Sequence, residues 1–531
     1  MKTLQQIRLK KLASILLSGT VIGLFSCQNF TELDPLSSLS EETAFTTPAN
    51  IELVANGVYQ AAAVGNYNGG AGRGYPFGAA SIEQGEMRGE DMVNLQAFYD
   101  ITYRAVYTAT SANNVNHWEQ LYALINQANI LIDGVQKAGA SGIVAKEVAI
   151  QYEGEGKFIR ALAHHELLVH FCRPFADGNG SAQGVPYRVK PVTTLAAVSD
   201  GIAMGRGTVA EAYTKVLEDL DFAEANLPAT RSANGISRAT SGAAVALKTR
   251  VKLHMQNWDG VITEGAKLGT GATSGSFTSP IGNYALEASP ETPFTSYKSN
   301  KESIFSIANS ATSNGGVNGA LANMFGPSSK SARDLVATSP NLYNASFWVT
   351  GDLRRDRLQI GQTTGSYPFY YNYKYRDYGV FGDWAPVLRY AEVLLNVSEA
   401  YARKGDATKA FALLNAVRNR SVPASEAFTT APADLVQAIL NERRIEFAGE
   451  GRRWPDIHRL AKDPKYATST GIPAKVEVSQ VKNTSYDIKN RPVITGSVAA
   501  IPYDDFRFVW PIPASELATN PTLRAQQNPG Y

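Results

Sequence analysis

The stretch Leu388-Arg389-Tyr390-Ala391-Glu392-Val393-Leu394-Leu395-Asn396, followed after Gly405-Asp406 by Ala410-Phe411-Ala412-Leu413-Leu414-Asn415-Ala416-Val417-Arg418, decides the fold. Leu388, Ala391, Leu395, Ser398 and Ala402 recur at three- and four-residue steps, which lines small and apolar side chains along one face of a helix of about 3.6 residues per turn. Such a face must be buried against a neighbour. Gly405 tolerates the positive φ that ends a helix, and Asp406 can cap the next one through its side-chain oxygen. Two helices therefore follow each other across a short turn, with Ala391, Ala400 and Ala410 small enough to let them cross closely. This is a helical hairpin of the tetratricopeptide style.

Similar signals recur toward the N-terminus. A first helix is expected to begin near Pro48-Ala49-Asn50 and to carry Leu53, Val54, Val58 and Tyr59. Long helices are expected around 112–137, 145–171, 208–226 and 240–268. Between them, residues 64–80 set Gly65, Gly69, Gly70, Gly72, Gly74 and Gly78 among Tyr67, Arg73, Tyr75 and Phe77, a composition that favours a loop. From about 269 to 385, Gly, Ser, Thr, Asn and Tyr dominate without helical period, and loops, short helices and a few strands are expected. An insertion of that length is more than a connector, and loops held on a rigid frame are where binding resides. The expected fold is mainly α: a tetratricopeptide-like helical-hairpin scaffold with a large irregular, loop-rich insertion. Along the chain this gives a signal segment 1–26, a tether 27–48, an N-terminal helical part 49–268, and a C-terminal part 269–531 holding the insertion and the last helical pairs.

The 531 residues are enough for a sizeable core. With a net charge of +2 and 18% charged residues, there is no electrostatic case for nucleic acid. Tyrosine, at 25 residues against 21 Phe, offers a ring face and a hydroxyl together, as a surface for a neutral polar ligand needs. Lys2, Arg8, Lys10 and Lys11 precede an apolar run from Leu12 to Phe25 that is shorter than the roughly 20 residues of a spanning helix. It reads as a signal peptide. Its end, Leu24-Phe25-Ser26-Cys27, resembles a lipobox and makes Cys27 the expected lipidation site, with an incidental cysteine after an ordinary signal as the competing reading. Acylation of Cys27 leaves Cys172 without a disulfide partner, so the fold rests on packing.

Three constellations invite a catalytic reading, and each fails on chemistry. In His164-His165-Glu166-Leu167-Leu168-Val169-His170 the second and last histidines are five apart, where a zinc-binding helix needs four; a semi-buried helix with surface histidines is expected instead. Glu442, Glu446 and Glu450 recur every four residues, but Arg443, Arg444, Arg452 and Arg453 surround them in sequence. Such arginines lower carboxylate pKa values and form bidentate pairs, the reverse of what a general acid requires. A structural ion-pair network is expected. Cys172, flanked by Phe171 and Phe175, has no orienting group for a Cys-His pair and reads as packed. No cofactor, metal or enzymatic activity is expected.

The aromatic loops remain. Sugar rings present C–H faces and hydroxyl edges, so they call for flat aromatic platforms beside Asn, Asp, Arg or Gln. Tyr67, Arg73, Tyr75 and Phe77 form one candidate group, with Glu90, Asp91 and Tyr99 nearby in sequence; Tyr284, Phe294 and Tyr297 with Phe347 and Trp348 form a second.

The hairpin stretch, together with Asn441-Glu442-Arg443-Arg444-Ile445-Glu446-Phe447-Ala448-Gly449-Glu450-Gly451-Arg452-Arg453-Trp454-Pro455-Asp456-Ile457-His458-Arg459-Leu460 and the chain end Trp510-Pro511-Ile512-Pro513-Ala514-Ser515-Glu516-Leu517, closely resembles the SusD/RagB family of outer-membrane nutrient-binding lipoproteins. Asn56-Gly57-Val58-Tyr59, Ile125-Asn126-Gln127-Ala128-Asn129, Phe158-Ile159-Arg160-Ala161 and Leu247-Lys248-Thr249-Arg250-Val251 extend the likeness in family order. The resemblance implies a lipid-anchored, outward-facing protein that captures oligosaccharides without cleaving them. It also implies delivery to a SusC-like TonB-dependent β-barrel, on which the protein sits as a hinged lid. Peptide capture, as in the RagB branch, is the alternative cargo. An anchored hydrolase and a helical-repeat adaptor are readings from other classes.

Overall fold

The computed structural model describes residues 43–65, 74–231, 235–364, 367–468 and 470–531. Its first helix, α1 (Pro48–Val64), starts where Thr47 Oγ1 accepts the Asn50 N–H and ends at Gly65, whose φ of +55° closes the last turn. A short helix α2 (Ala79–Met87) follows. The frame is then built by α3 (Ala112–Ala140), α4 (Lys146–Phe171), α5 (Val209–Asn226), α6 (Ser241–His254) and α7 (Trp258–Lys267). After the insertion come α8 (Tyr390–Lys404), α9 (Ala407–Asn419), α10 (Leu435–Glu446) and α11 (Arg453–Leu460). Consecutive members pack as antiparallel hairpins from α3 to α7, and α7 packs directly on α8, so the helical stack continues across the inserted segment.

The expected single helix over 240–268 is two. Gln256 takes a φ of +56°, and Asn257 opens α7 by accepting the Gly260 N–H through its side chain. The hairpin that decides the fold has the expected turn: Gly405 stands at φ +86°, Asp406 Oδ1 accepts from Lys409 N at 3.1 Å, and Ser398 Oγ donates across to Ala410 O at 2.7 Å. Leu388 and Arg389, however, are strand rather than helix.

Among the described residues six short strands form three antiparallel ladders: β1 (Met92–Asn94) with β3 (Val336–Thr338), β2 (Ser303–Ile307) with β6 (Ala385–Arg389), and β4 (Gln359–Thr364) with β5 (Tyr367–Asn372). The pairing of Ser303 with Arg389 and of Ile307 with Ala385 draws the two ends of residues 308–384 together beneath α8. The insertion is therefore a set of loops leaving and re-entering at one place. One large core takes Trp118, Phe158 and Leu247 from the first half and Leu394, Trp454 and Trp510 from the second, all within 1% of full burial. Each buried Leu or Phe stabilises by roughly 1.5–3 kcal/mol relative to exposure. A smaller core of Val93, Ala337, Phe369, Tyr371, Val476 and Val481 supports the strands.

Candidate functional site

The histidines of α4 are inside the protein, which corrects the expectation of surface histidines. His164, His165 and His170 are all buried because α4 is enclosed by α3, α5 and the C-terminal segments. Burial drives them toward the neutral form, His164 to a pKa of about 3. His165 turns to Tyr213 and His254, whereas His170 turns to His117 and Trp510. His117, Glu166 and His170 bring ligand-type atoms within 4.8 Å of one another. Yet Arg88 Nη1 lies 3.2 Å from His170 Nδ1, and Arg452 Nη1 lies 3.9 Å from Glu166. That positive charge works against a second cation in a low-dielectric interior. The Cys172 thiol is buried too, and burial raises its pKa away from the nucleophilic thiolate.

Glu442, Glu446 and Glu450 form an ion-pair network, but with partners other than the sequence neighbours. Glu446 meets Arg354 at 3.0 Å, Arg389 at 2.9 Å and Arg420 at 2.7 Å. Glu442 meets Arg418 at 3.2 Å, and Glu450 is held by Lys374 at 2.6 Å and Arg389 at 2.7 Å. Adjacent helical positions do not share a face, so Arg443 turns to Asp456 instead, while Arg444 and Arg453 reach Glu90 and Asp91 beside α2. Burial opposes ionisation of Glu446, but Arg420, Arg389 and Arg354 outweigh it and hold the carboxyl well below its ordinary range. A carboxylate so pinned cannot serve as a general acid near neutrality.

The aromatic candidates divide sharply. Cys27, Tyr67 and Arg73 lie outside the described residues. Tyr75, Phe77, Tyr284, Phe294 and Trp348 are buried, Trp348 to 0% exposure, and this corrects their expected role as surface platforms. Tyr75 Oη accepts from Gln84 Nε2 at 3.0 Å, and Tyr284 Oη bonds Thr240 Oγ1 at 3.0 Å. Phe294 sits edge-on to Tyr375 and beneath Lys374 and Arg389, while Trp348 packs between Tyr343 and Arg355. In segments without helical periodicity, such rings supply the apolar mass that anchors a loop to the frame. Tyr297 and Phe347 are half-exposed, but Phe347 packs against the core with Arg444 over its ring, which leaves Tyr297 as the one to follow.

Around Tyr297 the insertion forms a face that the sequence reading did not assemble. Trp384 lies with its ring centroid 6.0 Å from that of Tyr297, and its Nε1 donates to Asn309 O at 2.9 Å. The turn Asp377-Tyr378-Gly379-Val380-Phe381-Gly382 is braced from within. Asp377 accepts from Val380 N and Gly382 N, both at 3.0 Å, and its own N–H donates to Asp383 Oδ2 at 2.8 Å. Asn309 and Asn314 donate side-chain N–H groups to Asp383 O and Val380 O and so tie this turn to residues 309–316. A Cβ at Gly382 would stand 2.8 Å from Asp377 Oδ2 and 3.5 Å from Tyr297 Oη, so any side chain there would displace the bracing carboxylate. Phe381 is half-exposed at φ +59°, a conformation that strains a bulky residue, beside Val380 at 52% exposure. Burial pushes Asp383 up to a pKa of about 6. Described residues of the N-terminal part also reach this face: Gln60 Nε2 donates to Ser313 Oγ at 3.3 Å, and a Cβ on Gly74 would strike Gly319 O at 2.9 Å. Three aromatic rings, two amides and the Asp377 carboxylate thus share one braced surface, with Asp383 buried beneath it. The signal missed in the sequence is the interleaving of Phe381 and Trp384 with Gly379, Gly382 and Asp383.

Comparison with known proteins covers most of the chain. A family model described as SusD family matches residues 361–531, and one described as starch-binding, associating with the outer membrane, matches residues 30–253. SusD-like protein P25 of Formosa agariphila is 23% identical over 492 residues, covering 83% of this chain and 88% of its own length. A SusD superfamily protein from Bacteroides fragilis superposes with a TM-score of 0.72 at 26% identity, over 90% of this chain and 99% of its own. A laminarin-binding SusD-like protein superposes with a TM-score of 0.65 at 21% identity, over 92% of this chain and 100% of its own, a likeness of fold. The helical hairpins, the inserted loops and both sequence matches agree, and the chain belongs to the SusD-like family.

Proposed function

We propose that this protein is an outer-membrane, lipid-anchored binding protein that captures oligosaccharides on the Tyr297–Trp384 face and passes them to a SusC-like TonB-dependent β-barrel. The observation that carries the reading is the braced turn at 377–383, which holds Phe381 out and keeps Trp384 beside Tyr297 with Asn309, Asn314 and Asp377 within reach. Rings stack on C–H faces while amides and carboxylates meet hydroxyl edges. A frame already folded around the face adds little ordering cost on binding. The laminarin-binding relative and the starch-binding family description support a carbohydrate over a peptide as cargo. Tyr67 and Arg73 stay with the proposal as sugar contacts read from the sequence, and Cys27 carries the lipid. No helix among the described residues is long and apolar enough to cross a membrane, and attachment through acyl chains on Cys27 fulfils the need for an anchor.

A site of this kind binds in the micromolar to millimolar range, about −8 to −4 kcal/mol. Calorimetric titration of the chain starting after Cys27 against neutral and acidic oligosaccharides and mixed peptides tests the cargo, with Trp384→Ala alongside. Saturable heat with one glycan class, weakened in the variant and with intact sugar recovered, supports capture without cleavage. Heat only with peptides shifts the cargo to the RagB-like alternative, and sugar fragments in the recovered mixture would show a hydrolase. Labelling of the full chain with a radioactive fatty acid, present in the natural chain and absent in Cys27→Ala, tests the anchor.

A further inference from the structure

The last helical hairpin carries a groove that shares no residue with the Tyr297–Trp384 face. One wall is the outer side of α9, with Thr408, Phe411, Ala412, Asn415 and Asn419; the other is the turn at 273–275. Its volume is about 510 Å³, within the roughly 300–1,000 Å³ of small-molecule sites. Phe411, Asn415 and Asn419 stand four residues apart and therefore in one row down the helix. The ring is anchored by one side in the main core and remains half-exposed on the other. Asn415 Nδ2 donates to Phe428 O at 3.4 Å, whereas its buried Oδ1 accepts from no described residue. Hydroxyls of Thr273, Ser274 and Thr408 complete the lining, and no described residue that lines the groove is charged.

We infer that this groove is a second binding site, separate from the first, for a neutral saccharide. A ring face for C–H contact, two carboxamides in line and hydroxyls on both walls match a pyranose with its hydroxyl edge. The orphaned Asn415 Oδ1 requires a donor, which a ligand hydroxyl supplies. The absence of charge from the lining selects against ionic ligands, because a carboxylate or ammonium placed there would lose water without gaining a partner. An extended peptide fits less well, since the groove offers no strand edge for its backbone. The inference stands on the groove and not on where the first site lies.

Hydrogen exchange of the full chain, with maltohexaose and laminarihexaose as separate probes, tests this site in a Trp384→Ala background that weakens the first one. At a probe concentration of about ten times Kd, exchange in residues 407–419 and 270–276 should slow by about tenfold. Ala412→Arg places a long side chain in the groove on a half-exposed helical position, and Asn419→Arg does so at an exposed one. Either variant, once shown to be folded by circular dichroism, should abolish the protection. Four results each overturn the proposal: no protection with either hexasaccharide, protection that persists in both folded variants, protection lost through Trp384→Ala alone, or protection by a peptide mixture in place of the sugars. Protection of residues 377–384 in the natural chain, read in the same experiment, tests the first site independently.

Discussion

The base of the insertion and its tip solve opposite problems with the same residue types. At the base, buried Arg354 and Arg389 and partly buried Arg420 meet buried Glu302, Glu442, Glu446 and Glu450. Every strong charge there has several partners, and together they fix where β6 enters α8 and where α10 ends. At the tip, charged and aromatic groups face solvent around Tyr297, Phe381 and Trp384, held by backbone caps and asparagines rather than by ion pairs. Buried ion pairs set geometry and leave nothing for a ligand, whereas a surface braced by backbone and side-chain hydrogen bonds keeps its rings available. A frame of the first kind carries a site of the second.

Removing one arginine from the base is the largest test of that contrast. Arg389→Met leaves Glu302, Glu446 and Glu450 buried with fewer cations, and a cost of about 3–5 kcal/mol is expected in denaturant unfolding. Glycan affinity of the protein that remains folded should be unchanged. A loss below about 1 kcal/mol would mean that the network contributes little to the frame.

Acid separates the two regions by sign. Although burial opposes their ionisation, Glu446 and Asp456 are held well below the ordinary carboxylate range by the arginines around them, and Glu392 is at about 2 through Arg250. Groups whose folded pKa is depressed stabilise fully above their unfolded values and lose that contribution as pH falls. The unfolding midpoint should therefore drop steeply between about pH 4.5 and 2. Asp383 runs the other way. Its pKa is raised to about 6 by burial, so its contribution is complete below the ordinary Asp value and is lost as pH rises through 6. Protection of the amides in 377–384, taken relative to their intrinsic exchange at each pH, should fall from pH 5 to 7 in the natural chain and stay level in Asp383→Asn. A level profile in both would separate Asp383 from the order of the turn.

At the tip itself, Trp384→Ala should weaken glycan binding by about tenfold, near 1.4 kcal/mol, with a smaller effect on unfolding than Arg389→Met. Equal affinity in titration would remove Trp384 from the site.

The frame was legible because its signals are local. Gly405-Asp406 and the small residues at the crossing of α8 and α9 specify a hairpin within thirty residues of chain. The ionic base was legible in kind but not in detail, since Arg354, Arg389 and Arg420 come from segments 26 to 92 residues away from Glu446, and only the closed β2–β6 ladder brings them together. The site was least legible. Tyr75, Phe294 and Trp348 have the same loop-like surroundings in sequence as Tyr297, yet they are anchors, because whether a loop aromatic points in or out depends on what the fold places behind it. Trp384 and Phe381 carried a usable local signal in their alternation with glycine and aspartate.

Phe381 gives the smallest expected effect on stability and the sharpest test of the comparison. At φ +59° a phenylalanine costs about 1–2 kcal/mol over glycine in backbone strain, and it recovers part of that through partial burial. Phe381→Gly removes both terms, so unfolding free energy should change by less than about 1 kcal/mol in either direction. Affinity for the glycan should nevertheless fall, since the ring is lost while the turn remains. Phe381→Asn, which also tolerates the left-handed conformation, should behave as the glycine variant does in both measurements. If both variants bind as the natural chain does, the ring is an ornament of the turn and the strain has no function at this face. If both bind weakly at unchanged stability, the tip keeps a strained aromatic for its ligand, and the buried pairs of the base supply the rigidity that holds it there.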